Sequence, residues 1–234
     1  MKSVLITGGA SGLGKEIGDY LNQKGFDLYI IDRMSYHEIN FDFKEKIREY
    51  FQVDLTDHRT LKTLLNSRDF PNIEILINNA ALRLFKPFDK FEYEEIEKVI
   101  NVNVNAMLLI TNILSRKMID NKYGRIINIS SRAGFYGYST GSLYCSTKGF
   151  LLRFTEAIAK EFNLYGINVT ANTICPSALT NLDGTKLIDY DRKIRKIFYF
   201  IDKILETNIN GRCFNIFSLK EKLYYVFKTI QKLK

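Results

Sequence analysis

The 234-residue sequence contains few of the residues that build disulfide frameworks, metal sites or disordered segments. Its three cysteines, Cys145, Cys175 and Cys213, are odd in number and widely separated, which favours reduced thiols in a cytoplasmic protein over a disulfide framework. His37 and His58 are the only histidines, and without a close cysteine or histidine cluster we predict no metal site. With only three prolines and 46% hydrophobic residues, the whole chain is expected to fold.

Long apolar segments are also scarce. The apolar run at 4–6 is too short for a signal peptide, and we find no stretch that approaches the roughly 20 apolar residues of a membrane-spanning helix. Most of the net charge of +8 lies in residues 186–234, which contain 12 basic and 5 acidic side chains. This basic segment could bind an acidic membrane or a polyphosphate, but a solvated helix surface is the favoured interpretation. We predict no nucleic-acid partner.

Short β-branched runs alternate along the chain with segments of helical spacing. The runs that predict buried strands lie at 4–6, 28–31, 50–53, 75–77, 125–129 and 167–170. The segments that predict helices between most of them lie at 13–24, 59–66, 93–120 and 142–164. This alternation predicts an α/β fold, a doubly wound parallel sheet of about seven strands with helices on both faces.

Two regions depart from a simple alternation. Residues 33–44 have weak helical patterning where a crossover helix would be usual, so we expect a loop or one short helix there. Beyond Pro176 the pattern predicts a basic helix at 191–206, a strand at 213–217 and a closing amphipathic helix at 220–233. No linker or repeat divides the chain, and residues 1–234 are expected to form one domain.

A glycine-rich segment, TGGASGLG at 7–14, follows the first predicted strand and opens the first predicted helix. Because Gly8, Gly12 and Gly14 lack Cβ atoms, the backbone can turn sharply and approach a pyrophosphate, with the helix dipole behind it. An ordinary glycine-rich turn is the alternative. The position after an N-terminal strand favours a dinucleotide-binding turn.

Asp32 ends the second predicted strand, where a carboxylate accepts hydrogen bonds from the ribose hydroxyls of an adenosine. Such a carboxylate would repel the 2′-phosphate of NADP, whereas the neighbouring Arg33 could bind that phosphate. Position 11 is a serine and not a basic residue. We therefore favour NAD as the cofactor and keep NADP as the alternative.

Two more polar segments follow predicted strands. Asp54, within VDLTD, is placed to cap the following helix or to hydrogen-bond an adenine amino group, and the two roles are compatible. NNAA at 78–81 follows the fourth strand, at the edge where ligands collect in parallel sheets. Its small side chains would let a cofactor lie against the backbone.

Tyr144 and Lys148, in YCSTK, are four residues apart on a predicted helix and therefore share one of its faces. We predict that the ammonium lowers the phenol pKa, so that Tyr144 exchanges protons at working pH. Ser131, at the end of the preceding strand, could donate a hydrogen bond to a substrate oxygen. Alone, a tyrosine and lysine at this spacing are more often a chance pair on a helix, so the prediction depends on the accompanying motifs.

Asn103 lies within NVNVNA, a run that suits a helix poorly because asparagine side chains compete for backbone hydrogen bonds. We expect it to kink the helix and free a carbonyl, which could hold a water that relays protons to Lys148. Asn101 and Asn105 are interpreted as surface polar residues.

Together these motifs resemble the short-chain dehydrogenase/reductase family over about residues 2–181. TGGASGLG is similar to TGxxxGxG, NNAA to NNAG and YCSTK to YxxxK, with a serine thirteen residues before the tyrosine. The resemblance implies a Rossmann-type, NAD(P)-dependent oxidoreductase that interconverts an alcohol and a carbonyl compound by hydride transfer, with tyrosine as general acid and base. It implies a catalytic tetrad of Asn103, Ser131, Tyr144 and Lys148. The implied cofactor contacts are Gly8, Ser11, Gly12, Leu13, Gly14, Asp32, Arg33, Asp54, Leu55, Asn78, Ala80, Tyr144, Lys148, Pro176 and Leu179.

The sequence departs from the family pattern at several positions. Ala81 replaces the last glycine of NNAG, which preserves the backbone conformation only if its φ is below zero. Ser177 stands where the family usually has glycine after proline, and Thr180 lies one place short of the threonine that commonly contacts the carboxamide. Residues 182–234 diverge from the family, so the small-molecule alcohol or carbonyl substrate is left unspecified.

Two other functions are compatible with parts of the pattern. A nicotinamide-binding regulator or scaffold could keep the fold without turnover, and a sugar-nucleotide epimerase or dehydratase could share the Tyr-x-x-x-Lys pair. The chain length and the glycine spacing disfavour the epimerase. The apolar surfaces of 93–120 and 142–164 exceed what one sheet face needs, which predicts a homodimer or homotetramer.

Overall fold

The structure, a computed structural model, describes residues 2–39, 47–180 and 185–217. Its strands are β1 (Ser3–Thr7), β2 (Asp27–Asp32), β3 (Ile47–Gln52), β4 (Ile75–Asn78), β5 (Tyr123–Ile129), β6 (Asn168–Cys175) and β7 (Cys213–Asn215). Its α-helices are α1 (Gly12–Gln23), α2 (His58–Leu65), α3 (Tyr93–Ile100), α4 (Met107–Asp120), α5 (Ser142–Leu164) and α6 (Tyr190–Glu206). A π-helical turn, Asn101–Ala106, joins α3 to α4.

The seven strands form one parallel sheet in the order β3-β2-β1-β4-β5-β6-β7. The order reverses between β1 and β4, because the chain first winds towards β3 and then returns to the centre to wind towards β7. In such sheets a crevice opens beyond the carboxyl ends of the strands at the point of reversal. The predicted doubly wound sheet of about seven strands is confirmed.

Alternate residues of the central strands face two separate hydrophobic cores. Leu5 and Leu76 pack in a core with side chains of α2, α4 and α5, whereas Ile6 and Ile77 pack in the other core with α1 and α6. All four side chains are fully buried, and burial of each contributes about 1.5–3 kcal/mol to folding. Because strand side chains alternate between faces, helices are needed on both, as the sequence predicts.

The prediction of a buried strand at 50–53 is wrong in one respect. In the described part of the chain, β3 pairs with β2 alone, and its side chains are half-buried or exposed. An edge strand lacks one neighbour, and the hydrophobic pattern of a single segment does not report this. Within 33–44, the described residues form one short 3₁₀ turn, Tyr36–Glu38, and residues 40–44 lie outside the described ranges.

The predicted helices agree closely with the structure, apart from 93–120. That stretch contains the π-helical turn and, contrary to our expectation, is long and apolar enough over its 28 residues to meet a composition criterion for a membrane span. In the structure, Ile110, Leu114 and Met118 of α4 are buried in the core against the sheet. This packing is that of a core helix. The predicted closing helix at 220–233 lies outside the described residues.

The three cysteines are free thiols, and two of them are closer in space than the sequence indicates. Cys175 ends β6 and Cys213 begins β7, and their Sγ atoms lie 3.2 Å apart. Among the described residues, no group of three potential metal-ligating side chains occurs.

Candidate active site

A cleft of about 680 Å³ opens beyond the carboxyl ends of the strands, where the strand order reverses. Its volume is in the usual range for a site that holds a cofactor and a small molecule. Most of the predicted site residues line it: Gly8, Ser11, Gly12, Leu13, Asp32, Arg33, Asp54, Leu55, Ala80, Ser131, Tyr144, Lys148, Pro176 and Leu179. Gly14, Asn78 and Asn103 do not line it, and each supports the cleft from behind.

The glycine turn at the start of α1 is folded tightly against the segment that follows β4. Gly8 has a φ of +65°, and a Cβ there would lie 2.8 Å from Ala80 Cα. A Cβ at Gly14 would lie 2.0 Å from the Gly8 carbonyl oxygen, so the packing of the turn requires glycine there, and its predicted cofactor contact stays a prediction. Asn79 Nδ2 donates to the carbonyl oxygens of Thr7 at 3.1 Å and Gly8 at 2.9 Å and so ties the two segments together.

Gly12 forms the outer edge of the same turn. Its φ is +52°, and nothing lies within 4 Å of where a Cβ would be. A left-handed backbone conformation with open space in front of it is the geometry that lets a pyrophosphate approach the N-terminus of a helix. The residues of this turn therefore fit the phosphates of a dinucleotide.

Asp32 reaches the cleft at the end of β2 and is fixed by the backbone on two sides. Its Oδ2 accepts from Ala10 N at 3.0 Å and its Oδ1 from Met34 N at 3.1 Å. The carboxylate is largely buried, while the neighbouring Arg33 is exposed at the rim. This arrangement holds a carboxylate in place at the end of β2, and its predicted contact with a ribose stays a prediction.

The expectation that Asp54 caps α2 is wrong. The cap is Asp57, whose side chain accepts from Thr60 N at 3.0 Å. Asp54 instead accepts from the backbone N and the hydroxyl of Thr56, both at 2.8 Å, and the backbone hydrogen bond in particular lowers the pKa of Asp54. Its exposed carboxylate lines the cleft, so its second predicted role, at the adenine, stays a prediction.

Asn78 lies inside the fold and not at the cleft surface. Its Nδ2 donates to Thr111 Oγ1 at 3.0 Å and Asn128 Oδ1 at 2.8 Å, which joins β4 to β5 and α4. The alanines of NNAA line the cleft instead. Among the described non-glycine residues, positive φ values occur only at Lys122 and Thr140, so the alanine at position 81 adopts an ordinary conformation.

Tyr144 and Ser131 meet at the floor of the cleft. Ser131 Oγ accepts from Ala133 N at 3.1 Å, and the Ser131 side chain is close enough to Tyr144 to affect the pKa of the phenol. The ring of Phe85 packs edge-on against the Tyr144 ring, with centroids 5.7 Å apart. The phenol is therefore held in one orientation, beside a hydroxyl that faces the same space.

The predicted lowering of the Tyr144 pKa by Lys148 is wrong. Burial raises the pKa of the phenol, and the Ser131 side chain and the charge of Arg83 offset this only in part. Lys148 Nζ lies 5.8 Å from the tyrosine ring centroid and donates to the Ile129 carbonyl oxygen at 2.8 Å. Four-residue spacing places both side chains on one face but does not fix where the ammonium points.

Lys148 is buried at the edge of the cleft, and burial lowers its pKa to about 8 from the ordinary value of 10.5. Between these two values the unfolded chain binds a proton that the native lysine does not, so the free energy of unfolding rises with pH. Measured by urea unfolding, the free energy of unfolding of wild type should rise by about 1–2 kcal/mol from pH 8 to about pH 9.5. Lys148→Met should lack this rise. Parallel pH profiles in the two proteins would contradict this.

Asn103 joins three separate segments from within the π-helical turn. Its Oδ1 accepts from Leu82 N at 2.7 Å, and its Nδ2 donates to the Leu82 carbonyl oxygen at 3.0 Å and to Thr147 Oγ1 at 3.1 Å. The predicted irregularity of the helix is confirmed as a π-helical turn. The proton relay through a water stays a prediction. Asn105 donates to Asn101 Oδ1 at 2.8 Å near the surface, as expected for both.

Sequence reasoning missed several other residues that line the cleft, among them Asn79, Leu82, Arg83, Phe85, Arg132, Tyr138 and Tyr190. Asn79 belongs to the NNAA motif, so its position already indicated a role. The segment that contains Arg83 and Phe85 directly follows this motif, but no local pattern shows that it turns over the tyrosine. Tyr190 comes from the start of α6, and its hydroxyl donates to Glu16 at 2.9 Å.

Comparisons with known proteins agree with this geometry. The family described as "short chain dehydrogenase" matches residues 2–189. The diacetyl reductase [(S)-acetoin forming] of Staphylococcus epidermidis is 31% identical over 229 residues, which cover 95% of this chain and 84% of that protein. The NAD-dependent glycerol dehydrogenase of Listeria innocua is 27% identical over 188 residues, 79% of this chain and 73% of that protein.

Solved structures share the fold over nearly the whole chain. ElxO with NADP bound is 25% identical and superposes with a TM-score of 0.77, covering 92% of this chain and 96% of that one.

Proposed function

Because the chain belongs to the short-chain dehydrogenase/reductase family and is an NAD(P)-dependent oxidoreductase, we propose that Tyr144 transfers the proton in an alcohol–carbonyl interconversion. The observation that carries the proposal is the position of Tyr144 and Ser131, which lie close together in a cleft that the glycine turn also lines. A phenol and a hydroxyl that face the same space can bind one substrate oxygen together.

In the reducing direction, the Tyr144 phenol donates its proton to the substrate carbonyl oxygen. The Ser131 hydroxyl donates a hydrogen bond to the same oxygen and stabilises its developing negative charge, while its own Oγ is held by Ala133 N. The nicotinamide, when bound, supplies the hydride that the carbonyl carbon accepts. Because burial raises the phenol pKa, Tyr144 is protonated at neutral pH and ready to act as an acid.

Lys148 has a supporting part in this proposal. Neutral pH is below the Lys148 pKa of about 8, so the ammonium is mostly charged although it is buried. Its bond to the Ile129 carbonyl fixes the ammonium at the end of β5, beside the catalytic pair. From there it can hold the nicotinamide ribose and favour the phenolate that forms when Tyr144 gives up its proton.

For the cofactor, we propose NAD in preference to NADP. The fixed carboxylate of Asp32 would repel a 2′-phosphate and accept bonds from free ribose hydroxyls. We expect NADH to bind about tenfold more tightly than NADPH, corresponding to about 1.4 kcal/mol, by fluorescence titration. Arg33→Gln should leave the NADH affinity unchanged. If wild type bound NADPH more tightly than NADH, and Arg33→Gln lost this preference, the cofactor would instead be NADP.

A regulator or scaffold that binds a nicotinamide without turnover is the alternative, but the intact arrangement of Tyr144, Ser131 and Lys148 favours an enzyme. The deciding experiment follows reduced nicotinamide by absorbance with panels of alcohols and ketones. Tight NADH binding without turnover of any of them would favour the regulator. A homodimer or homotetramer and a cytoplasmic location stay predictions, and sedimentation tests the first of them.

A further inference from the structure

The charged residues that line the cleft are balanced at one end only. At the adenosine end, the acidic residues Asp32 and Asp54 accept backbone hydrogen bonds and lie near two cations, Arg33 and Lys98. The catalytic end contains three cations, Arg83, Arg132 and Lys148, and no aspartate or glutamate among the described lining residues. The space in front of Tyr144 is therefore electropositive.

Arg83 is placed there by the contacts of its neighbours in the chain. Leu82 is held at both its N–H and its carbonyl by the Asn103 side chain, at 2.7 and 3.0 Å. Two residues beyond Arg83, the Phe85 ring packs against Tyr144. The backbone around Arg83 is therefore anchored over the phenol, and the arginine charge is close enough to act on both Tyr144 and Lys148.

The guanidinium of Arg83 has no ion-pair or hydrogen-bond partner among the residues that the structure describes. Its side chain is exposed within the cleft, whereas nearby Lys86 is paired with Glu95. A planar guanidinium binds a carboxylate or phosphate through two parallel hydrogen bonds, and charge-assisted bonds of this kind are among the stronger ones in proteins. An arginine in this position fits an anionic group that arrives with the substrate.

We propose that Arg83 determines specificity by binding an anionic oxygen group, a carboxylate or a phosphate ester, on the substrate whose carbonyl or hydroxyl lies at Tyr144 and Ser131. This inference rests on the proposed function and extends it to a substrate class, small hydroxy or oxo compounds that carry a negative charge. Arg83 discriminates by charge, because a neutral compound leaves the arginine without a partner.

The test compares wild type with Arg83→Gln, each saturated with NADH. The control is Arg195→Gln, which removes the same charge from an exposed position on α6 outside the cleft. Binding of succinate and of glycerol 3-phosphate is measured by thermal shift and titration, with succinamide and glycerol as their neutral counterparts. We expect Arg83→Gln to bind the anion about tenfold or more weakly than wild type, whereas Arg195→Gln binds it as wild type does. The NADH affinity should be unchanged in both variants.

The two probes distinguish a carboxylate site from a phosphate site. Turnover adds an independent readout, with hydroxy acids compared with their methyl esters: Arg83→Gln should raise KM for the acids with little change in kcat. Equal or better kcat/KM for the esters, or no anion binding by the NADH-bound wild type, would overturn the inference. A weakened NADH affinity in Arg83→Gln would assign the arginine to the cofactor. Failure of the proposed function is distinguishable, since it would appear as absent turnover with every compound.

Discussion

Replacing Tyr144 by phenylalanine is expected to lower kcat by about 10²–10⁴-fold, the range typical of losing a positioned general acid. The ring and its edge-on contact with Phe85 are retained, so only the hydroxyl near Ser131 is removed. The NADH affinity should stay within about twofold, because the glycine turn and Asp32 are untouched. Steady-state kinetics and NADH fluorescence titration measure the two quantities separately.

Tyr165→Phe provides the matched control for this experiment. Tyr165 follows α5 and is exposed, so the same chemical change there should alter neither kcat nor NADH affinity. Wild-type turnover in Tyr144→Phe would discard the proposed proton transfer. A parallel loss of NADH binding would show that the variant disturbs the cleft, and Ser131→Ala would then be used to test the same pair of hydroxyls.

Replacing Gly14 by alanine is expected to have the largest effect on folding and cofactor binding. The new Cβ would lie 2.0 Å from the Gly8 carbonyl oxygen and 2.5 Å from Asn79 Nδ2, so the backbone of the turn must move. Overpacking of this kind costs about 1–3 kcal/mol or more, equivalent to a loss of about 2–12 °C in Tm for a chain of this size. Calorimetry and NADH titration measure the loss of stability and of binding.

The control lies one turn further along α1. A Cβ at Gly18 would meet only Leu28 Cδ1 at 3.7 Å and Ile6 Cδ1 at 3.8 Å, which are ordinary contacts. Gly18→Ala should therefore be neutral or more stable by up to about 1 kcal/mol, since alanine is the better helix former. If Gly14→Ala were as stable as Gly18→Ala and bound NADH normally, the packing role assigned to Gly14 would be wrong.

The parts of the site that the sequence predicted well are those fixed by local chemistry. A glycine turn between a strand and a helix, and a tyrosine and lysine one helical turn apart, are set by residues close together in the chain. The alternation of elements predicted the parallel sheet with helices on both faces, but the strand order comes from the structure. The irregular helix at Asn103 was also predictable, because asparagines compete for backbone hydrogen bonds wherever they occur.

The errors concern quantities that depend on tertiary surroundings. Asp54 and Asp57 are both suitable caps, and only the observed start of α2 selects Asp57. The Tyr144 pKa depends on how deeply the phenol is buried and on where the Lys148 ammonium points, neither of which the spacing contains. The position of Arg83 depends on its neighbour's contacts with Asn103, a residue 21 positions beyond Leu82 in the chain.

The two backbone bonds of Asp32 have a consequence for engineering. A redesign that aims to admit NADP would remove this carboxylate. The carboxylate, however, also accepts hydrogen bonds from the backbone N–H groups of Ala10, in the glycine turn, and of Met34. Deleting it would leave the Ala10 amide buried without an acceptor, at a cost of about 1–3 kcal/mol, whereas asparagine retains one oxygen for two amides. Coenzyme exchange in this enzyme therefore calls for a compensating acceptor designed together with the new phosphate site.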